Sequence, residues 1–211
     1  MTRTALSLAA HVASGSDWLI PPPSLAAGGG FALWLAVYYL LPSPVRTYVL
    51  AHELTHALWG VVMGARVRDI RVGRSGGYVA LTKTNVLISL SPYFFPLYTM
   101  LLIAAYALLS CFRDMRPYYL LWLGLVGFTW GFHFTFTLTS LLQRQPDIEE
   151  NGRLFSYAVI YLFNVLGLCL WTVAVTSVTL WDLVHFLWTH AAAVAMALRH
   201  AAEAVLGRAG G

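Results

Sequence analysis

The chain has 211 residues, of which 59% are hydrophobic and only 10% charged. Soluble domains carry about a quarter charged residues, so this composition excludes an ordinary water-facing surface and points to lipid as the solvent. The formal net charge of +4 comes from twelve Arg and one Lys set at the ends of apolar runs. That placement excludes the clustered basic face of a nucleic-acid binder and fits membrane topology instead.

Residues 1–23 read as an N-terminal lead. Arg3 precedes a short apolar run that His11 and Ser14-Gly15-Ser16 interrupt, and Pro21-Pro22-Pro23 ends it. The first long apolar run, residues 24–41, contains Gly28-Gly29-Gly30 and is barely long enough to span a bilayer, which takes about 20 residues. Pro42-Ser43-Pro44 stops it and can start the next helix, because proline is tolerated in a first turn. The second run covers residues 45–64. Residues 65–84 differ in kind: Val67, Ile70 and Val72 alternate loosely with Arg66, Arg68, Asp69 and Arg71, and Gly76-Gly77 follows. This pattern predicts a small β-hairpin.

The third apolar run covers residues 85–111, with Pro92 and Pro96 near its start, and the fourth covers residues 118–142. A polar, acidic stretch at 143–153 leads into a fifth run at 154–181. Residues 182–211 are alanine-rich and carry His185, His190, Arg199, His200 and Glu203, so they read as a sixth span or an interfacial helix with a tail. Cys111 and Cys169 form no Cys-x-x-Cys pair, which argues against both a disulfide framework and a thiolate metal site. The expected fold is an all-α polytopic membrane protein of five to six spans, with one membrane-embedded domain at 24–181. Arg66, Arg68, Arg71, Arg74 and Lys83 place the hairpin on the cytoplasmic side, and alternation puts 143–153 on the same side.

The second run contains His52-Glu53-Leu54-Thr55-His56, the H-E-x-x-H pattern. Residues four apart share a helix face, so both imidazoles can reach one ion. Zinc lowers the pKa of a bound water to about 7, and Glu53 can take that water's proton and pass it to a leaving amine. Ionised groups inside a spanning helix cost about 2.5–3.5 kcal/mol each, and a bound cation offsets that cost. A third donor is needed. At 1.5 Å per residue, His133 lies at the same depth as the pair, whereas Asp147 sits nominally at the membrane edge and must fold back to ligate. His133 is therefore a candidate third ligand or oxyanion stabiliser, with a buried structural histidine as the plain alternative. Asn164 in the fifth run is expected to make an interhelical hydrogen bond.

Ala51-His52-Glu53-Leu54-Thr55-His56-Ala57 in an apolar helix, followed by Gly60 and Gly64, a short β-like segment with Gly73 and Gly76-Gly77, and then Ser91-Pro92, resembles the site-2 protease (M50-like) family of intramembrane zinc metalloproteases. The resemblance covers residues 44–166. It implies Zn2+ held by His52, His56 and Asp147, with Glu53 catalytic, and it favours Asp147 over His133. It also implies an active site reached from the cytoplasmic side and a membrane-anchored protein substrate. Asp147 is followed by Ile148 where the family has Gly, Gln143 stands where the family has Asn, and no PDZ-like insert is present, which marks a divergent branch. The alternative is a non-catalytic scaffold or chaperone that keeps the protease fold.

Overall fold

The computed structural model describes residues 22–73, 76–175 and 178–209. Most of the N-terminal lead, with His11, and Arg74 in the hairpin turn lie outside the described residues. The protein is mostly helical with one two-stranded antiparallel sheet. In chain order the elements are α1 (Pro22–Leu40), α2 (Val45–Val62), β1 (Val67–Val72), β2 (Gly77–Leu81), α3 (Val86–Leu90), a 3-10 turn (Ser91–Tyr93), α4 (Leu97–Ser110), a second 3-10 turn (Arg116–Tyr118), α5 (Tyr119–Leu141), α6 (Pro146–Glu150), α7 (Arg153–Val175) and α8 (Leu180–Ala209).

Among the described residues, three stretches are long and apolar enough to cross a membrane: Pro22–Leu40, Arg116–Leu141 and Arg153–Val173. The third apolar run of the sequence is not one rod. It breaks into Val86–Tyr93 and Leu97–Ser110, which meet at 83° and make a fourth span if taken together. Pro92 and Pro96 account for the break, since proline lacks the N–H that an unbroken helix needs. Helix α2 falls outside this set because Arg46, His52, Glu53 and His56 interrupt its apolar surface.

The described residues fall into two compact units, 22–164 and 165–209, and α7 contributes to both. In the first unit α1 lies against α5 through glycines. A Cβ added at Gly30 would land on the carbonyl oxygen of Gly124, and one at Gly127 would land on that of Ala27. Gly28-Gly29-Gly30 lies within helix α1, and of the three only Gly30 sits where a Cβ would meet a neighbour. Above these glycines Trp34, Phe132 and Phe136 form a buried aromatic cluster, and Trp34 Nε1 donates to Thr135 Oγ1 at 2.9 Å. Lipid tails are as apolar as leucine, so close packing and such polar ties hold spanning helices together.

Helix α2 ends at Gly64, whose φ of +76° is the left-handed conformation glycine adopts readily. Ala65 N–H then bonds back to Gly60 O at 2.8 Å, as in a Schellman stop, and the chain leaves as β1. The hairpin pairs Val72 with Gly77 and Ile70 with Val79, with an irregularity between Val67 and Asp69. The whole of β1 is exposed, whereas residues 79–81 of β2 are half-buried. The alternation in β1 therefore marks a strand without marking a buried face. Gly60 on α2 admits the Leu81 side chain, which a Cβ there would meet at 2.8 Å.

In the second unit Cys169, Val178 and Leu183 form a small core with Val165, Val173, Phe186 and Leu187. Both cysteines are free. Thr179 caps α8: Asp182 N–H reaches Thr179 Oγ1 at 3.2 Å and Thr179 N–H reaches Asp182 Oδ2 at 2.8 Å, a capping box that starts the helix.

The glycine contacts yield a paired prediction. Gly127→Ala pushes against backbone and is expected to destabilise by about 1–3 kcal/mol. Gly28→Ala, with nothing within 4 Å of its Cβ, is expected to stabilise by about 0.5–1 kcal/mol through helix propensity. Melting temperatures of the two purified variants in one detergent, moving in opposite directions from wild type, would check both.

Candidate metal centre

The fold brings His52, His56 and Asp147 together. His52 Nε2 and His56 Nε2 are 3.2 Å apart, and Asp147 Oδ2 lies 3.3 Å from the first and 3.4 Å from the second. These three atoms are the one group of metal-ligating side chains found among the described residues. Two of them come from one face of α2, one turn apart. The third comes from α6, five residues long.

Past the end of α5 the chain turns through residues 142–145 and restarts at Pro146, the first residue of α6, where its fixed φ suits a helix and its missing N–H has no partner to lose. Ile148 is the anchor. It is buried at 2% exposure against Leu90, Tyr93 and Ile160, a burial worth about 1.5–3 kcal/mol. Asn151 Nδ2 donates to Asp147 O at 3.0 Å and Ser156 Oγ donates to Ile148 O at 3.1 Å. Gly152, at φ +82°, turns the chain into α7. Counting residues along straight rods left Asp147 at the membrane edge; the inward fold of α6 carries it to the histidines.

Each donor has a second contact. His56 Nδ1 lies 2.8 Å from Ile88 O, so that nitrogen carries the proton and Nε2 of the neutral ring presents a lone pair. His52 Nδ1 lies 3.3 Å from Tyr48 Oη, which in turn is 2.5 Å from Ser140 Oγ. A donated Nδ1–H leaves His52 Nε2 bare as well. Tyr93 Oη donates to Asp147 Oδ2 at 3.1 Å. Tyr48 stands four residues before His52 on the same helix face, a spacing visible in the sequence; Tyr93 and the Ile88 carbonyl carry no such signal.

Two bare nitrogens and a carboxylate oxygen crowded within 3.4 Å repel one another unless a cation or a proton sits between them. Tetrahedral coordination at about 2.0–2.1 Å demands ligand–ligand edges of roughly 3.3 Å. The observed edges match that triangle, so the site can hold a metal ion. Without one, burial opposes the charge on Asp147, but a proton on the imidazole nitrogens facing it makes hydrogen bonds that outweigh burial and hold its carboxyl well below the ordinary carboxylate range.

Glu53 is buried at 6% exposure beside the cluster, and its carboxylate makes no hydrogen bond among the described residues. It lines a cleft of about 840 Å³ together with His52, His56 and Asp147. Gly76, Gly77, Tyr78 and Val79 form part of the wall. A Cβ at Gly77 would meet Glu53 Cγ at 2.8 Å, so only glycine lets the strand run this close to that side chain.

His133 stays apart from the cluster. It is buried on α5 and borders a chamber of about 20 Å³ shared with His52, Thr55 and Tyr98, room for one water. Asn164 makes an interhelical bond, with Nδ2 donating to Tyr93 O at 2.8 Å. In α8, His190 Nδ1 bonds Phe186 O at 2.7 Å.

Removal of a true ligand should exceed the 10–100-fold loss typical of an outer-shell change. If the site takes a divalent cation, Asp147→Ala is therefore expected to weaken its binding by more than about 100-fold, and His133→Gln by less than a few-fold. Competition against a chelator of known affinity would read both.

No family model, no curated protein and no solved structure matches this chain.

Proposed function

We propose that this protein is an intramembrane zinc metalloprotease that cuts membrane-anchored protein substrates, a divergent relative of the site-2 protease family. The observation that carries this reading is the His52, His56 and Asp147 triangle beside the unbonded carboxylate of Glu53 in one open cleft. Two imidazole nitrogens and one carboxylate oxygen form a donor set suited to zinc, with a coordination position left for water or substrate.

His52 Nε2, His56 Nε2 and Asp147 Oδ2 hold the ion. Bound zinc supplies Lewis acidity and brings the pKa of a water to about 7. Glu53, one residue beyond His52, accepts the proton of the attacking water on a carboxylate oxygen and delivers it to the nitrogen of the leaving amine. The cleft admits water to a site set among apolar helices. A helical substrate hides its peptide bonds in its own hydrogen-bond ladder, so it must unwind to be cut. Among the described residues strand β2 pairs only with β1, and its other edge can take up an unwound segment by strand addition. The unbonded Glu53 weighs against the scaffold reading, since a scaffold has no use for a proton carrier.

In this reading α1, α2, the bent α3–α4 pair, α5 and α7 are five spans, and α8 is a sixth or lies at the interface. The arginines of the hairpin face the cytoplasm, so the cleft opens on that side.

Glu53→Gln is expected to lower cleavage of a membrane-anchored reporter by about 10²–10⁴-fold while zinc content is retained. Deleting residues 67–81 is expected to abolish cleavage as well. Turnover by the Gln variant at the wild-type rate would contradict the assignment of Glu53.

A further inference from the structure

The two histidines need no help to stay one turn apart, because α2 sets their spacing. Asp147 has no such support. It sits on a five-residue helix that Ile148 anchors through the backbone, but its own side chain is 27% exposed and needs a further contact to fix where the carboxylate points. From these facts we infer that Tyr93 is the positioning residue that fixes Asp147 as the third donor, and that Asn164 holds Tyr93 for that task. The inference rests on the cation site described above.

Asp147 Oδ2 is the one oxygen that faces both imidazoles, and Tyr93 Oη bonds that same oxygen at 3.1 Å. An ionised carboxylate only accepts, so the phenol donates. A phenol is a neutral donor: it aims the oxygen without cancelling the charge a cation needs, as an Arg or Lys would. Tyr93 is fully buried at 0% exposure and does not line the cleft, so it acts through Asp147 and not on substrate.

Tyr93 is itself held from three sides. Its ring meets His52 edge-on, with centroids 5.3 Å apart. Its carbonyl accepts from Asn164 Nδ2 at 2.8 Å, while the same amide reaches Ile160 O at 2.9 Å. Its 3-10 turn is pinned by Ser91 Oγ, which donates to Ile88 O at 2.9 Å. Ile88 O is also the carbonyl that orients His56. Residues 88–93 thus support two donors that come from two different elements.

The test is a double-mutant cycle on the full chain purified in detergent and stripped with chelator. Zinc affinity is read by competition for wild type, Tyr93→Phe, Asp147→Ala and the double variant, with melting temperatures of the stripped proteins as the folding control. Tyr93→Phe keeps the ring and is expected to weaken zinc binding about 10–100-fold with little change in melting temperature. In the Asp147→Ala background the same change is expected to do nothing further, because the hydroxyl has lost the group it acts through. Asn164→Ala is expected to give a smaller loss in the same direction. Wild-type affinity in both Tyr93→Phe and Asn164→Ala would overturn the inference. So would an equal loss with and without Asp147, which would mark Tyr93 as general packing. A wild type that takes up no zinc would instead overturn the cation site, and this role with it.

Discussion

Two imidazole nitrogens and a carboxylate oxygen stand 3.2–3.4 Å apart on the wall of one cleft. Such a cluster repels itself unless a cation or a proton sits between its members. Only a positive charge at the centre turns the arrangement from a cost into a bond. Much of the first compact unit bears on that centre. Helix α2 carries the pair, α6 folds inward to add the oxygen, and the stretch from Ile88 to Tyr93 backs up two of the three donors.

The scaffold around the centre relies on small residues where other chains would use bulk. Gly30 and Gly127 let α1 and α5 touch backbone to backbone, and α5 brings Ser140 to Tyr48 behind His52. Gly60 and Gly77 let the hairpin lie on α2, one beneath Leu81 and the other beside Glu53. A side chain at Gly77 would run into the candidate proton carrier, so the strand in the cleft wall lies close beside Glu53.

Different parts of this arrangement were legible in the sequence to different degrees. The histidine pair was plain, because a four-residue spacing on a helix has one geometric meaning. Tyr48 obeys the same spacing and was equally open to view. The choice between Asp147 and His133 was not, because depth counting treats helices as upright rods and their connections as edges. It favoured His133, which the fold leaves outside the three-atom group, and it undervalued Ile148, whose burial draws Asp147 inward. Tyr93 was invisible, since nothing local ties it to a carboxylate 54 residues away. The hairpin announced itself through its glycines and β-branched residues, and its first strand is exposed along its whole length. The 83° bend after Tyr93 shows how two prolines four apart divide what hydropathy alone reads as one run.

Zinc-edge X-ray absorption on the purified protein bears most directly on the central interaction. The account predicts one zinc per chain, bound by two imidazole nitrogens and oxygen donors at about 2.0–2.2 Å, with the carboxylate contribution absent from the spectrum of an Asp147 variant. Sulfur at about 2.3 Å, or a protein that carries no stoichiometric zinc, would contradict it.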